Sequence, residues 1–124
     1  MNLFDAIFKE NSSATTAVLY QQRAITYSQL RRQTLSMAKV LESLNITCSE
    51  RVAILLGDSP EFIVTFISLC SLGAIPVPIN IGLSVEQQEA ILRDCTATAA
   101  VIEADQCSRL ATDAPETLHL FRDQ

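Results

Sequence analysis

The residues of this 124-residue chain that could do chemistry are few and scattered. A phosphate cradle needs closely spaced glycines at the head of a helix, so that backbone N–H groups can approach the anion. The three glycines, Gly57, Gly73 and Gly82, build neither Gly-x-Gly-x-x-Gly nor Gly-x-x-x-x-Gly-Lys. Gly57-Asp58-Ser59-Pro60-Glu61 is the natural place for a ligand, where an apolar strand meets a helix start. Yet Asp58 and Glu61 already answer the positive end of the helix dipole, so a phosphate there would meet like charge. Helix capping is expected, not ligand contact. His119, the single histidine, sits between Leu118 and Leu120, and no serine has a Gly-x-Ser-x-Gly context, so a hydrolase triad is not expected. One histidine also excludes a two-histidine metal motif, and Cys48, Cys70, Cys95 and Cys107 form no Cys-x-x-Cys pair. These cysteines read as reduced thiols of a cytoplasmic protein, packed as small buried hydrophobes. Glu86, Glu89, Asp94, Glu103 and Asp105 fall along helix surfaces and strand ends in the manner of solvated acids, and no acid–base pair is assigned. Arg31, Arg32 and Lys39 are expected on a solvated or interdomain face. No catalytic, cofactor-binding or metal-ligating residue is assigned within the chain.

The elements around these residues are better marked than the chemistry. Thr26 and Gln29 have capping-box spacing, and Ile25 and Leu30 occupy the positions of a hydrophobic staple. An apolar stripe follows through Leu30, Met37, Ala38, Leu41 and Leu44, which predicts an amphipathic helix with Asn45 as a left-handed stop. Before it, residues 17–20 and 24–25 read as a hairpin around Gln21-Gln22-Arg23, and residues 3–10 as a short helix docking as a terminal lid. Val52-Ala53-Ile54-Leu55-Leu56 reads as a strand buried on both faces. Ser59 as N-cap and Pro60 at the first helical position open a helix running to Leu72, apolar nearly all round and ended by Gly73. Residues 74–79 are extended; Ser84 and Gln87 form a second capping box, heading a helix with Val85, Gln88, Ile91, Leu92 and Cys95 on one face. A strand at 99–102, a short helix at 106–111 and a strand at 118–121 complete the series. Alternation of this kind predicts an α/β fold, a three-layer Rossmann-like parallel sheet with crossover helices, preceded by a short β-hairpin.

Composition agrees with one packed domain, residues 1–124. Hydrophobic residues make up 48% of the chain, too many for disorder. Fourteen acids against nine Lys and Arg leave a net charge of −5 and a pI near 4.7, which argues against nucleic acid as a partner. No secretory signal is read at the amino terminus. Phe62 to Ile79 is uncharged and about long enough to span a bilayer, but Gly73, Pro76 and Pro78 interrupt it, so no membrane span is expected.

Three segments carry a family resemblance that runs from about Asn2 to Asp105. Ile25-Thr26-Tyr27-Ser28-Gln29-Leu30 is similar to Leu/Phe-Thr-Tyr-x-Glu-Leu, with Gln29 serving the capping role of the usual Glu. Glu50-Arg51-Val52-Ala53-Ile54-Leu55-Leu56 resembles a Gly-Asp-Arg-Val-Ala strand, followed by Asp58-Ser59-Pro60-Glu61 where Asn-Ser-x-Glu is frequent. Leu72-Gly73-Ala74-Ile75-Pro76-Val77-Pro78-Ile79-Asn80 is close to Ala-Gly-Ala-x-x-Val-Pro-Leu-Asn. In this order they resemble the start of the adenylate-forming (AMP-binding) superfamily: acyl-CoA synthetases, fatty acyl-AMP ligases, peptide-synthetase adenylation domains and luciferases. The chain departs from the pattern at residues 45–50, which replace Gly-Val-x-x-Gly-Asp.

The resemblance implies the first part of the large amino-terminal domain of an enzyme that activates a carboxylic acid with ATP and Mg²⁺. The acyl-adenylate then passes its acyl group to the thiol of CoA or an acyl carrier protein. The family's phosphate loop, Tyr-Gly-x-Thr-Glu segment, ribose-binding Asp and catalytic Lys would lie past Gln124. On this reading the chain's partner is the remainder of the enzyme, the isolated chain is inactive, and a homo-oligomer is left open. The alternative is a stand-alone α/β binding or assembly module on the same scaffold, which would behave as a monodisperse, cooperatively melting monomer.

Overall fold

A computed structural model of the chain describes residues 2–9, 14–103 and the backbone of 116–118. The order is α1 (Leu3–Lys9), β1 (Thr16–Tyr20), β2 (Arg23–Thr26), α2 (Tyr27–Ser43), β3 (Arg51–Leu55), α3 (Pro60–Ser71), β4 (Ile75–Pro78), α4 (Val85–Asp94), β5 (Ala99–Ile102) and β6 (Glu116–Leu118). β1 and β2 form an antiparallel hairpin, and the other strands form one parallel sheet in the order β4-β3-β5-β6. The expected α/β architecture with a leading hairpin is therefore present.

β3 lies between β4 and β5, and its alternating side chains divide the core. Val52 and Ile54 pack with Leu41 of α2 and Leu69 of α3, while Ala53 and Leu55 pack with Ile79 and with Leu92 of α4. Helices thus cover both faces, giving three layers. A third cluster joins Ile25 and Leu30 to Val64 and Ile67, with Phe4, Ile7 and Phe8 of α1 packed against it. The terminal helix docks as expected, although Leu3 is exposed. With α1, α2 and the sheet around it, no residue of α3 is fully exposed, which accounts for its nearly continuous apolar character.

The capping chemistry appears as read. Thr26 Oγ1 accepts from Gln29 N–H at 3.2 Å and Gln29 Oε1 accepts from Thr26 N–H at 2.9 Å. Ser84 and Gln87 repeat the exchange at 3.1 and 3.0 Å, and Ser59 caps α3 with Pro60 at its first position. Caps of this kind contribute about 1 kcal/mol each.

Several details differ from the sequence reading. The hairpin turn is only Gln21-Gln22, with Arg23 already in β2, and Gln21 takes the left-handed conformation (φ 55°) usually left to Asn or Gly. Asn45 is left-handed as expected (φ 69°), as are Ser49 (φ 70°) and Thr96 (φ 52°). α2 buries Thr34 and leaves Leu44 exposed, because α2 and α3 meet through small residues: Ser68 Oγ donates to the Thr34 carbonyl at 3.0 Å. Cys48 is exposed and Cys70 and Cys95 are only half-buried, so these three are not the fully buried hydrophobes expected. A strand is present at Glu116–Leu118, which meets the expected strand at Leu118; residues 119–121 of that expectation lie outside the described residues. The expected helix at 106–111, Cys107, Asp105 and His119 lie outside the described residues.

The amino-terminal ends of β3 and β5 are clasped together by Glu50. Its Oε1 accepts from the Thr47 N–H (2.8 Å) and Thr47 Oγ1 (3.0 Å), and its Oε2 accepts from Thr98 Oγ1 at 2.7 Å. Beside it, Arg51 Nη1 donates to Thr96 Oγ1 at 2.8 Å. Hydrogen bonds from Thr98 and Thr47, outweighing a small desolvation effect, hold the Glu50 carboxyl below its usual value of 4.5. The turn from α3 into β4 depends on Gly73, which has φ +75°. A Cβ there would also stand 2.9 Å from Cys48 Sγ.

Two outcomes follow for stability. Gly73→Ala should lower unfolding free energy by about 1–3 kcal/mol in urea titrations, combining left-handed strain with the Cys48 contact; adding Cys48→Ala should restore only the steric share. Because the folded state lowers the Glu50 pKa, its contribution is present above the ordinary glutamate range and disappears as pH falls through the lowered value. Glu50→Gln should therefore destabilise the chain at pH 7 and flatten the acid side of a stability–pH curve; an unchanged acid slope would count against the clasp.

Candidate functional site

In a parallel sheet whose strand order turns back on itself, the crevice for a ligand opens at the carboxyl ends of strands whose following connections leave on opposite faces. Here that position is between β3 and β5. The chain leaves β3 toward α3 on one face, while the β4-to-β5 connection through α4 covers the other. The residues at the mouth are Gly57, Asp58 and Ser59 after β3 and Glu103 after β5.

Glu103 reaches across this mouth to the β3 end. Its Oε1 accepts from the Gly57 N–H at 3.1 Å, and its own N–H donates to the Leu55 carbonyl at 3.3 Å. A Cβ added at Gly57 would lie 3.6 Å from that carboxylate oxygen. Ser59 Oγ donates to the Gly57 carbonyl at 3.1 Å and accepts from the Phe62 N–H at 3.4 Å. Two N–H groups that could have met an anion are therefore already engaged. Asp58, expected to answer the helix dipole, is exposed, while half-buried Glu103 is the acid that meets the Gly57 N–H. Glu103 had read as a solvated acid, because nothing in the local sequence shows that it meets Gly57.

Next to this mouth, the loops after β3 and β4 enclose an open cleft of about 640 Å³ lined by Leu56, Gly57, Asp58, Phe62, Ile79 and Ile81, among others. Asn80 Oδ1 accepts from the Gly82 N–H at 2.8 Å and so holds one rim. Among the described residues, Asp58 is the one charged side chain lining the cleft, and none of them there is a cation. Among the described residues, no group of His, Cys, Asp and Glu side chains could hold a metal ion. Arg31 stacks over Phe4, 5.7 Å from its ring centre, at the α1–α2 junction. Burial pushes the Cys70 thiol pKa up, which disfavours the nucleophilic thiolate.

The three motif segments all serve structure. One builds the hairpin-to-helix cap, one the Glu50 clasp and the central strand, and one the Gly73 turn into β4. A family model described as "AMP-binding enzyme" matches residues 5–122. The chain belongs to the AMP-binding enzyme family. Its relatives include an anthranilate–CoA ligase of Pseudomonas aeruginosa, 36% identical over 119 residues, covering 94% of this chain and 23% of the ligase. Tyrocidine synthase 3 of Brevibacillus parabrevis is 28% identical over 120 residues, covering 92% of this chain and 2% of the synthase. Among solved structures, the Klebsiella oxytoca NpsA N-terminal subdomain in complex with 3-hydroxybenzoyl-AMSN superposes with a TM-score of 0.85 at 27% identity, covering 93% of this chain and 28% of that one. An anthranilate CoA ligase in complex with anthranoyl-AMP gives 0.80 at 28% identity, covering 88% and 21%. The chain thus spans less than a third of the length of each of these four proteins.

The Glu103–Gly57 contact yields a stability test. Glu103→Ala leaves the Gly57 N–H without its partner in a half-buried position and should cost about 1–2 kcal/mol in chemical denaturation. A loss below a few tenths would show that water replaces the carboxylate freely.

Proposed function

We propose that this chain is the amino-terminal structural portion of an ATP-dependent enzyme that activates a carboxylic acid. In that reaction the acid's carboxylate oxygen attacks the α-phosphorus of ATP, pyrophosphate leaves, and the acyl group passes from AMP to a thiol of CoA or a carrier protein. An NpsA adenylation domain artificially fused to a peptidyl carrier protein, also a structural neighbour, supports a carrier thiol as one acceptor. The residues here form a single, incomplete α/β domain and contribute the scaffold. Neither ATP phosphates nor Mg²⁺ fit the described residues: the switch-point N–H is taken by Glu103, the adjoining cleft is acidic, and no metal-ligand group is assembled. No step is therefore routed through this crevice. No catalytic, cofactor-binding or metal-ligating role is assigned among the described residues, and the partner on this reading is the remainder of the enzyme. A cytoplasmic location goes with this reading; no helix among the described residues is long and apolar enough to cross a membrane.

The observation that carries the proposal is the blocked crevice in a chain whose relatives are several times longer. ATP–pyrophosphate exchange by the purified chain, with Mg²⁺ and a panel of aryl and fatty acids, should not rise above the enzyme-free blank. Exchange that is present in the chain and lost on Glu103→Ala would overturn the scaffold reading.

A further inference from the structure

β4 has proline at two of its four positions, and the strand register decides where their missing donors would have pointed. The Ile75 N–H donates to the Glu50 carbonyl at 2.8 Å, and the Ile79 N–H to the Ile54 carbonyl at 2.9 Å. Backbone polar groups along a strand turn to opposite edges at successive residues. Residues 75, 77 and 79 therefore present their N–H groups to β3, and residues 76 and 78 face away from it. Both outward positions are proline, and neither inward position within the strand is. The outer edge consequently offers the carbonyls of Pro76 and Pro78 and no N–H between them.

Parallel and antiparallel ladders both require donors from each partner, so a strand laid against this edge would leave its own carbonyls unpaired. The edge otherwise has what invites pairing: it ends the described sheet, and Ile75 is 44% exposed beside it. β6, at the opposite end of the described sheet, contains Glu116-Thr117-Leu118 and no proline.

We infer that Pro76 and Pro78 close the β4 side of the sheet to strand addition, whether from a second copy or another segment, and that further strands can join only beyond β6. The inference does not depend on the acid-activation reading. Its test is analytical ultracentrifugation of the full chain beside Pro76→Thr/Pro78→Thr, which restores both outward donors in a residue suited to strands. The variant should self-associate at a concentration at least tenfold lower than the parent. Its new amides at positions 76 and 78 should gain hydrogen-exchange protection as protein concentration rises. A variant with the parent's circular dichroism and cooperative melt, but with the parent's mass at every concentration, would overturn the inference. Should the double variant not fold, Pro78→Thr carries the same test at the exposed end of the strand: concentration-dependent protection of its new amide supports the inference, and uniformly fast exchange overturns it.

Discussion

Strand β3 has side chains buried on both faces and a parallel neighbour on each edge, leaving none of its apolar groups for water. Val52, Ile54 and Leu55 are each fully buried, and burial of such a side chain is worth about 1.5–3 kcal/mol. A strand of this kind cannot exist without layers above and below it. That requirement places α2 and α3 on one side and α4 on the other. It also sets the positions of two carboxylate contacts that join the β3 and β5 ends: the Glu50 clasp at the amino ends and the Glu103–Gly57 bond at the carboxyl ends.

Those two carboxylates have opposite bearings on function. Glu50 ties strand ends together where parallel sheets do not bind ligands, and its role is architectural. Glu103 stands at the carboxyl ends of the strands, where parallel sheets do bind ligands, and there it accepts from the Gly57 N–H. The three segments that mark the family are accordingly a helix cap, a clasped strand and a left-handed turn, each answering a local backbone demand.

Much of the fold was legible because its signals are local. The Thr26–Gln29 and Ser84–Gln87 boxes, the Ser59–Pro60 start and the left-handed Asn45 depend on residues within a turn of one another. Other features escaped for identifiable reasons. Gln21 adopts φ > 0 because a two-residue hairpin turn requires it, whatever residue is present. Thr34 is buried where α2 meets α3, its carbonyl accepting from Ser68 Oγ, and a count of apolar residues passes over it. Cys48 is exposed although cysteine is usually buried, since it lies in the α2–β3 connection against a glycine.

The sequence by itself determined the alternation of elements, the caps that begin the helices, the absence of a glycine-rich phosphate loop and the family to which the motifs belong. Tertiary structure alone decided which carboxylate closes the switch-point crevice and which edge of β4 its prolines face. The physical reason is range. Capping and periodicity are fixed by backbone geometry over a few residues, whereas Glu103 meets Gly57 across 46 residues, and the outward direction of Pro76 and Pro78 exists only once β4 has paired with β3.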